Sequence, residues 1–277
     1  MTPLVFTAVV FGLSFAAGVL GSLLGLGGGI IVIPALTLLL GVNIRFAVGA
    51  SVVSVIATSS GAAAAYVREH LANLRVAMFL ELATTAGALT GAFLAGVVGG
   101  RALFITFGLV LGYSAVAMFR KRHEEPASVP PDPWADALRL HTSYYDQALD
   151  QTVAYRVTRT HLGLALMYIA GLVSGLLGIG SGALKVPAMD LAMRLPIKVS
   201  SATSNFMIGV TAAASAGVYF MRGDIDPFIA GPVAAGVLLG ATVGSHFLTR
   251  LSSTAIRAVF VLVLLWISFQ MLVKGLR

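Results

Sequence analysis

Few residues in this chain could do chemistry, and most of them gather around two glycine-rich stretches. One, GLLGIGSGALKVPAMD (Gly175–Asp190), contains Gly178-x-Gly180-x-x-Ala183, the spacing of a dinucleotide-binding loop, with a lysine and an aspartate in apolar surroundings. That fingerprint needs a preceding strand, a following helix and an acidic residue about 20 positions on. Position 203 is Thr, and the matching stretch Ser22–Thr37 puts Ile30 where the third small residue should stand. The nucleotide reading fails. What the two stretches offer instead is backbone N–H groups at the start of a half-helix, where positive dipole character suits an anion. Gly27, Gly28 and Gly29, with Gly180, Ser181 and Gly182, are therefore candidate substrate-binding positions. Ser51, Ser54, Thr203, Ser204 and Asn205 can donate hydrogen bonds without net charge, and Lys185 can add a full positive charge. In the plainer reading the glycines and hydroxyls only allow close helix packing, and Lys185 pairs with Asp190 or snorkels to the interface.

Glu81 is the other ionisable residue inside a predicted span, a candidate for carrying a coupling proton or pairing with a basic neighbour. His246 lies near the end of its span and reads as interfacial, as do Arg45 and Lys198. The chain has no cysteine, no HExxH, no GxSxG and no paired His cluster. These patterns argue against an enzyme, a metal site or a cofactor.

The elements that must position these residues are membrane spans. The 277 residues are 58% hydrophobic and 10% charged, where a soluble domain is about a quarter charged. Apolar stretches of about 20 residues, enough to cross a bilayer, recur at Leu4–Leu24, Val76–Val98, Ala102–Phe119, Phe228–Leu248 and Ala255–Leu272. The expected fold is an all-α polytopic membrane protein in the cell (inner) membrane, with Leu4–Leu24 as a retained first helix. The net charge of +7 reads as basic loops at a lipid surface rather than nucleic-acid binding. Oligomeric state is left open.

Sliding the chain against itself by 153 residues pairs Leu24 and Gly25 with Leu177 and Gly178, Gly27 and Gly29 with Gly180 and Gly182, and Pro34 with Pro187. Ser51 then pairs with Ser204, Thr58 with Thr211, Tyr66 with Tyr219, Gly87 with Gly240 and Gly91 with Gly244. Each half reads as an apolar helix (4–24; 161–177), a glycine cluster (25–29; 178–182), a segment too short to span (30–41; 183–194), a small-residue helix (45–67; 198–221) and two more spans (75–98 and 102–120; 228–248 and 254–275). This predicts about eight transmembrane helices in two four-helix repeats, 1–120 and 161–277, each with a broken or re-entrant helix. Such paired breaks are the sequence pointer to a transporter site. Gly87-x-x-x-Gly91 and Gly236-x-x-x-Gly240-x-x-x-Gly244 read as a helix-packing seam.

Residues 121–160 break the composition and read as a cytoplasmic linker, with a regulatory or docking role as the alternative. Trp134, Ala137, Leu138 and His141 could share one face of a short interfacial helix. Placing the linker, both termini and the turns at 68–75 and 222–227 on one side gathers Arg68, Arg75, Arg120, Lys121, Arg122, Arg139, Arg156, Arg159, Arg222, Lys274 and Arg277 there. Arg45, Arg101, Arg194, Lys198, Arg250 and Arg257 stand opposite. This even-crossing topology is preferred on the positive-inside tendency and makes the repeats parallel; a fully crossing broken element would invert them.

GLGGGIIVIPAL (25–36), its echo GIGSGALKVPAM (178–189), and KVSSATSNFMIGVTAA (198–213) followed by Tyr and the RGDID turn (222–226) resemble the TauE/SafE sulfite-exporter family in order and duplication. The resemblance covers every span and leaves out the linker. It implies a membrane transporter, expected to export, for a small anionic substrate such as sulfite or an organosulfonate. With the paired breaks this predicts alternating access at a midplane site between the repeats. A carrier or channel for another ion, and a non-transporting membrane scaffold or sensor, are the competing readings.

Overall fold

The computed structural model describes residues 2–120, 132–147, 149–248 and 251–276. Among them, eight helices are long and apolar enough to cross a membrane. These are α1 (Pro3–Leu24), α3 (Ile44–Arg68), α4 (Leu74–Ala95), α5 (Gly100–Arg120), α7 (Thr160–Leu177), α9 (Ile197–Met221), α10 (Pro227–Leu248) and α11 (Ser253–Leu276). The chain is a multi-pass all-α membrane protein. Two short helices, α2 (Gly29–Pro34) and α8 (Gly182–Pro187), follow the glycine clusters. Each runs into a π-helical turn, Ala35–Leu39 or Ala188–Ala192. The change begins at Pro34 and Pro187, which lack an N–H and crowd the carbonyl four residues back; widening the turn accommodates that loss.

Glycine contacts give the helix directions. A Cβ on Gly236 would meet Phe11 O, on Gly240 Phe15 O, and on Gly244 Val19 O. Helices α1 and α10 therefore run parallel. Gly49 abuts Asp224, and Gly61 abuts Leu238 and Ala241, so α3 is parallel to α10 as well. Since α1 and α3 share a direction, the chain has to return between them. The broken segment makes that return, which gives each half an odd number of passes.

Pairing of α5 with α11 follows the same logic. Gly108 abuts Leu272, Gly112 abuts Ser268, and the Arg101 Nε–H donates to Gly275 O at 2.9 Å. These two helices occupy equivalent places in the halves and run antiparallel. The halves are inverted, which corrects the preferred parallel arrangement. Small residues make the interface between them: Gly87 and Gly91 lie on α7 at Tyr168 and Leu172, while Gly236, Gly240 and Gly244 lie on α1.

Inversion also separates the linker from the termini. Arg222 donates to Ala92 O, Arg101 reaches the C-terminal turn, and Gly49 meets Asp224, all at one end of the bundle. The linker packs at the other. Asn73 Nδ2 donates to Leu140 O and Tyr155 Oη, both at 2.9 Å, and the Lys198 ammonium donates to Asp146 at 2.7 Å. Linker and termini thus do not share a face, contrary to the expectation.

The described linker residues are more structured than composition suggested. Helix α6 (Pro133–Ala137) is followed by an antiparallel hairpin, β1 (Thr142–Asp146) with β2 (Gln151–Tyr155). Asp132 accepts from the Trp134, Ala135 and Thr160 amides, so it caps α6 and ties it to the start of α7. Burial opposes ionisation there, yet these bonds, with that from the Thr160 hydroxyl, hold its carboxyl below the usual range. The expected helix face through His141 does not form, because α6 stops at Ala137; Trp134 packs on Phe79 and His161 instead. The proline run of 126–131, like Lys121, Arg122, Arg250 and Arg277, lies outside the described residues.

Candidate functional site

Two glycine loops meet in the bundle interior. Helix α1 ends at Gly25 with φ +68° and α7 ends at Gly178 with φ +66°, the left-handed cap that glycine adopts without strain. A Cβ on Gly182 would sit 2.2 Å from Gly25 O and 2.5 Å from Leu26 Cα, so the loops touch backbone to backbone. Gly27 packs on Ile208 and Val55, and Gly180 packs on Val55.

The hydroxyls predicted for the site bind these loops across the halves. Ser51 Oγ donates to Gly178 O at 2.6 Å, and Ser204 Oγ donates to Gly25 O at 2.7 Å. Within each half, Tyr66 Oη donates to Ser22 O and Tyr219 Oη to Gly175 O. Each bond recurs at the 153-residue offset. Ser54 Oγ bonds Ser51 O, Ser181 Oγ bonds Gly180 O, and Thr203 Oγ accepts from the Asn73 amide at 3.0 Å. Asn205 Nδ2 donates to Ser22 O at 2.6 Å, while its Oδ1 is buried without a hydrogen-bond partner. Gly28 donates its N–H to Thr58 Oγ1 at 3.0 Å, and Gly29 lies against Ser51. In this conformation the loops are closed and their hydroxyls hold carbonyls.

Charge breaks the repeat symmetry: a cation from the second half meets a carboxylate from the first. Lys185, on α8, is 0% exposed and lies 3.4 Å from Glu81 Oε2. Its ammonium donates to Thr211 Oγ1 at 2.6 Å. The Thr211 proton has two acceptors, Glu81 Oε1 at 2.5 Å and Met207 O at 3.0 Å. Thr85 donates to Glu81 Oε1 at 3.1 Å. Thr211 is the fifteenth residue of α9, about 21 Å from its start at 1.5 Å per residue. The cluster therefore lies near mid-depth. A buried ion pair of this kind needs its extra hydrogen bonds to offset desolvation. At the matching positions of the other half stand Val32 for Lys185, Ala234 for Glu81 and Thr58 for Thr211.

Thus the structure joins Lys185 and Glu81, not Lys185 and Asp190. Asp190 faces Arg257, with Nη1 and Oδ2 3.0 Å apart. Lys198 is buried under the linker, Arg45 is exposed, and His246 is exposed with its Nδ1 at Thr242 O. Thr211 and Thr85 were missed as members of the charged cluster. The available signal was helical spacing, since Thr211 stands two turns beyond Ser204 on the same helix face. A largely apolar cavity of about 620 Å³ lies between α5, α7 and α8, lined by Leu109, Tyr113, Ile169 and Leu184 among others, and includes none of the predicted site residues.

Eight spans, paired helix breaks and an intramembrane ion pair belong to a membrane transporter. The chain belongs to the sulfite exporter TauE/SafE family, whose model matches residues 10–271. It is 26% identical over 275 residues to the probable membrane transporter protein YunE of Bacillus subtilis (strain 168), covering 97% of each chain. A probable membrane transporter protein of Xylella fastidiosa (strain 9a5c) is 28% identical over 241 residues, 87% of this chain and 82% of that one. No solved structure matches. The protein is a transporter, not an enzyme.

Proposed function

We propose that this protein carries a small sulfur oxyanion, sulfite or an organosulfonate, across the cell membrane as an exporter, by alternating access between its inverted halves. The observation that carries the reading is Lys185, a fully buried cation at mid-depth on the second broken helix. An ammonium there, held by the Thr211 hydroxyl, suits a compact anion better than a cation. Parting of the two loops would release Ser51, Ser204 and the glycine amides from their present carbonyl and packing contacts, and Asn205 keeps one side of its amide available. The family's name supports the sulfite class.

Sulfite and methanesulfonate flux into proteoliposomes tests this directly. Saturable uptake with counterflow is expected; absence of both flux and binding for both anions would remove the substrate reading.

Orientation follows from the described cations. Arg68, Arg75, Arg120, Arg139, Arg156, Arg159, Arg194, Lys198 and Arg257 lie toward the linker end, against Arg45, Arg101, Arg222 and Lys274 at the other. The positive-inside tendency places the linker in the cytoplasm and both termini outside. A C-terminal alkaline phosphatase fusion should be active in cells and a C-terminal green fluorescent protein fusion dark. The opposite pattern would reverse the orientation.

A further inference from the structure

We infer that the Glu81 carboxylate occupies the place of the substrate anion on Lys185, so that the anion enters only as Glu81 takes up a proton, one proton for each anion. The inference rests on the anion-transport reading above and adds its coupling ion. Three observations carry it. Lys185 is 0% exposed, whereas the Glu81 side chain keeps 11% of its surface. Glu81 is therefore the less enclosed member of the pair. Second, the Lys185–Glu81 separation of 3.4 Å is the longest contact of the cluster, while Thr211 holds both partners at 2.6 and 2.5 Å. The carboxylate can leave the ammonium without stripping it of its hydroxyl partner.

Third, the network has a place for the incoming proton. With the proton on Glu81 Oε1, that O–H donates to Thr211 Oγ1, and the Thr211 hydroxyl turns its own proton to Met207 O, already 3.0 Å away. Lys185 continues to donate to Thr211 through the second lone pair. Its full charge is then uncompensated in a low-dielectric interior, a state that a bound anion relieves. Deprotonation of Glu81 restores the internal pair and expels the anion.

The titratable and charged groups on the other elements packed against α4 are engaged elsewhere. On α7, His161 stacks on Trp134 and Tyr168 reaches Thr90; on α9, Lys198 binds Asp146 and Tyr219 binds Gly175 O; Arg222, at the end of α9, binds Ala92 O. Glu81 is thus the group on which proton uptake centres.

Methanesulfonate is the probe, because its charge does not change with pH and any pH dependence belongs to the protein. Binding to the detergent-solubilised full-length protein should weaken with rising pH, by roughly tenfold per pH unit on the alkaline limb of the profile, the slope for one linked proton. Glu81→Gln should bind more tightly at high pH and show no slope. In weakly buffered solution on that alkaline limb, adding methanesulfonate to the wild-type protein should draw in close to one proton per anion bound. This last measurement needs no variant, so it decides the matter if Glu81→Gln fails to fold. A flat wild-type profile, binding without proton uptake, or an unchanged slope in Glu81→Gln would overturn the coupling while leaving anion transport standing. Failure of both methanesulfonate and sulfite to bind at any pH would remove the anion reading itself, and the coupling with it.

Discussion

Lys185→Met is expected to abolish transport and also to weaken the fold by about 3–5 kcal/mol, because it strands the Glu81 carboxylate at mid-depth. The expectation follows from a difference between two costs. Removing one member of a buried pair leaves a charge with no counter-charge, whereas removing both removes the desolvation penalty as well. The double variant Lys185→Met with Glu81→Leu should therefore regain most of the lost stability, measured by thermal unfolding in detergent. It should regain none of the sulfite flux in proteoliposomes. Recovery of flux in the double variant would mean that the pair is a structural tie and that the anion binds elsewhere. Lys185→Arg tests geometry, since a planar guanidinium keeps the charge but not the compact ammonium that fits against Thr211.

Gly182→Ala should be the most damaging of the small substitutions in the second glycine loop. The added methyl carbon would lie 2.2 Å from Gly25 O and 2.5 Å from Leu26 Cα. Both are backbone atoms of the opposite loop, so no side chain can swing aside. Relief requires the two loops to move apart, and that movement strains the Ser204–Gly25 and Asn205–Ser22 bonds on the same stretch. A loss of about 3 kcal/mol is expected from the overpacking. Gly217→Ala is the control: it lies within the long helix α9, nothing lies within 4 Å of its new methyl, and it should be neutral or slightly stabilising. Equal melting temperatures for the two variants would show that the loops do not pack as described.

How much of this was legible without coordinates can be judged from particular residues. Spans were legible because bilayer thickness imposes a length and lipid imposes apolarity, and both are written residue by residue. Predicted and observed helices agree to within a few residues at most ends, as with 198–221 against Ile197–Met221. The broken helices were visible because glycine clusters and prolines are local punctuation. Their full return through the bundle was not, since the segment is too short to announce itself as a span. Glu81 and Lys185 stood out singly because charge is costly in a membrane. That they pair was hidden, because they lie 104 positions apart and Asp190 was the nearer carboxylate. Ser51, Ser204 and Asn205 were named for a ligand, while in the closed conformation they hold carbonyls of the opposing half. A hydroxyl's type says that it will bond and not to what.

The sequence by itself determined that the chain crosses the membrane, that it does so in two matched halves with a break in each, and which few polar residues had to be reckoned with. All of these follow from composition and spacing along the chain. Tertiary structure alone decided that the halves are inverted, that linker and termini lie at opposite ends, and that Lys185 is held between Thr211 and Glu81. These depend on which helix meets which, a choice fixed by small-residue contacts between segments far apart in sequence, where bringing glycine backbones together is what lets the interfaces close.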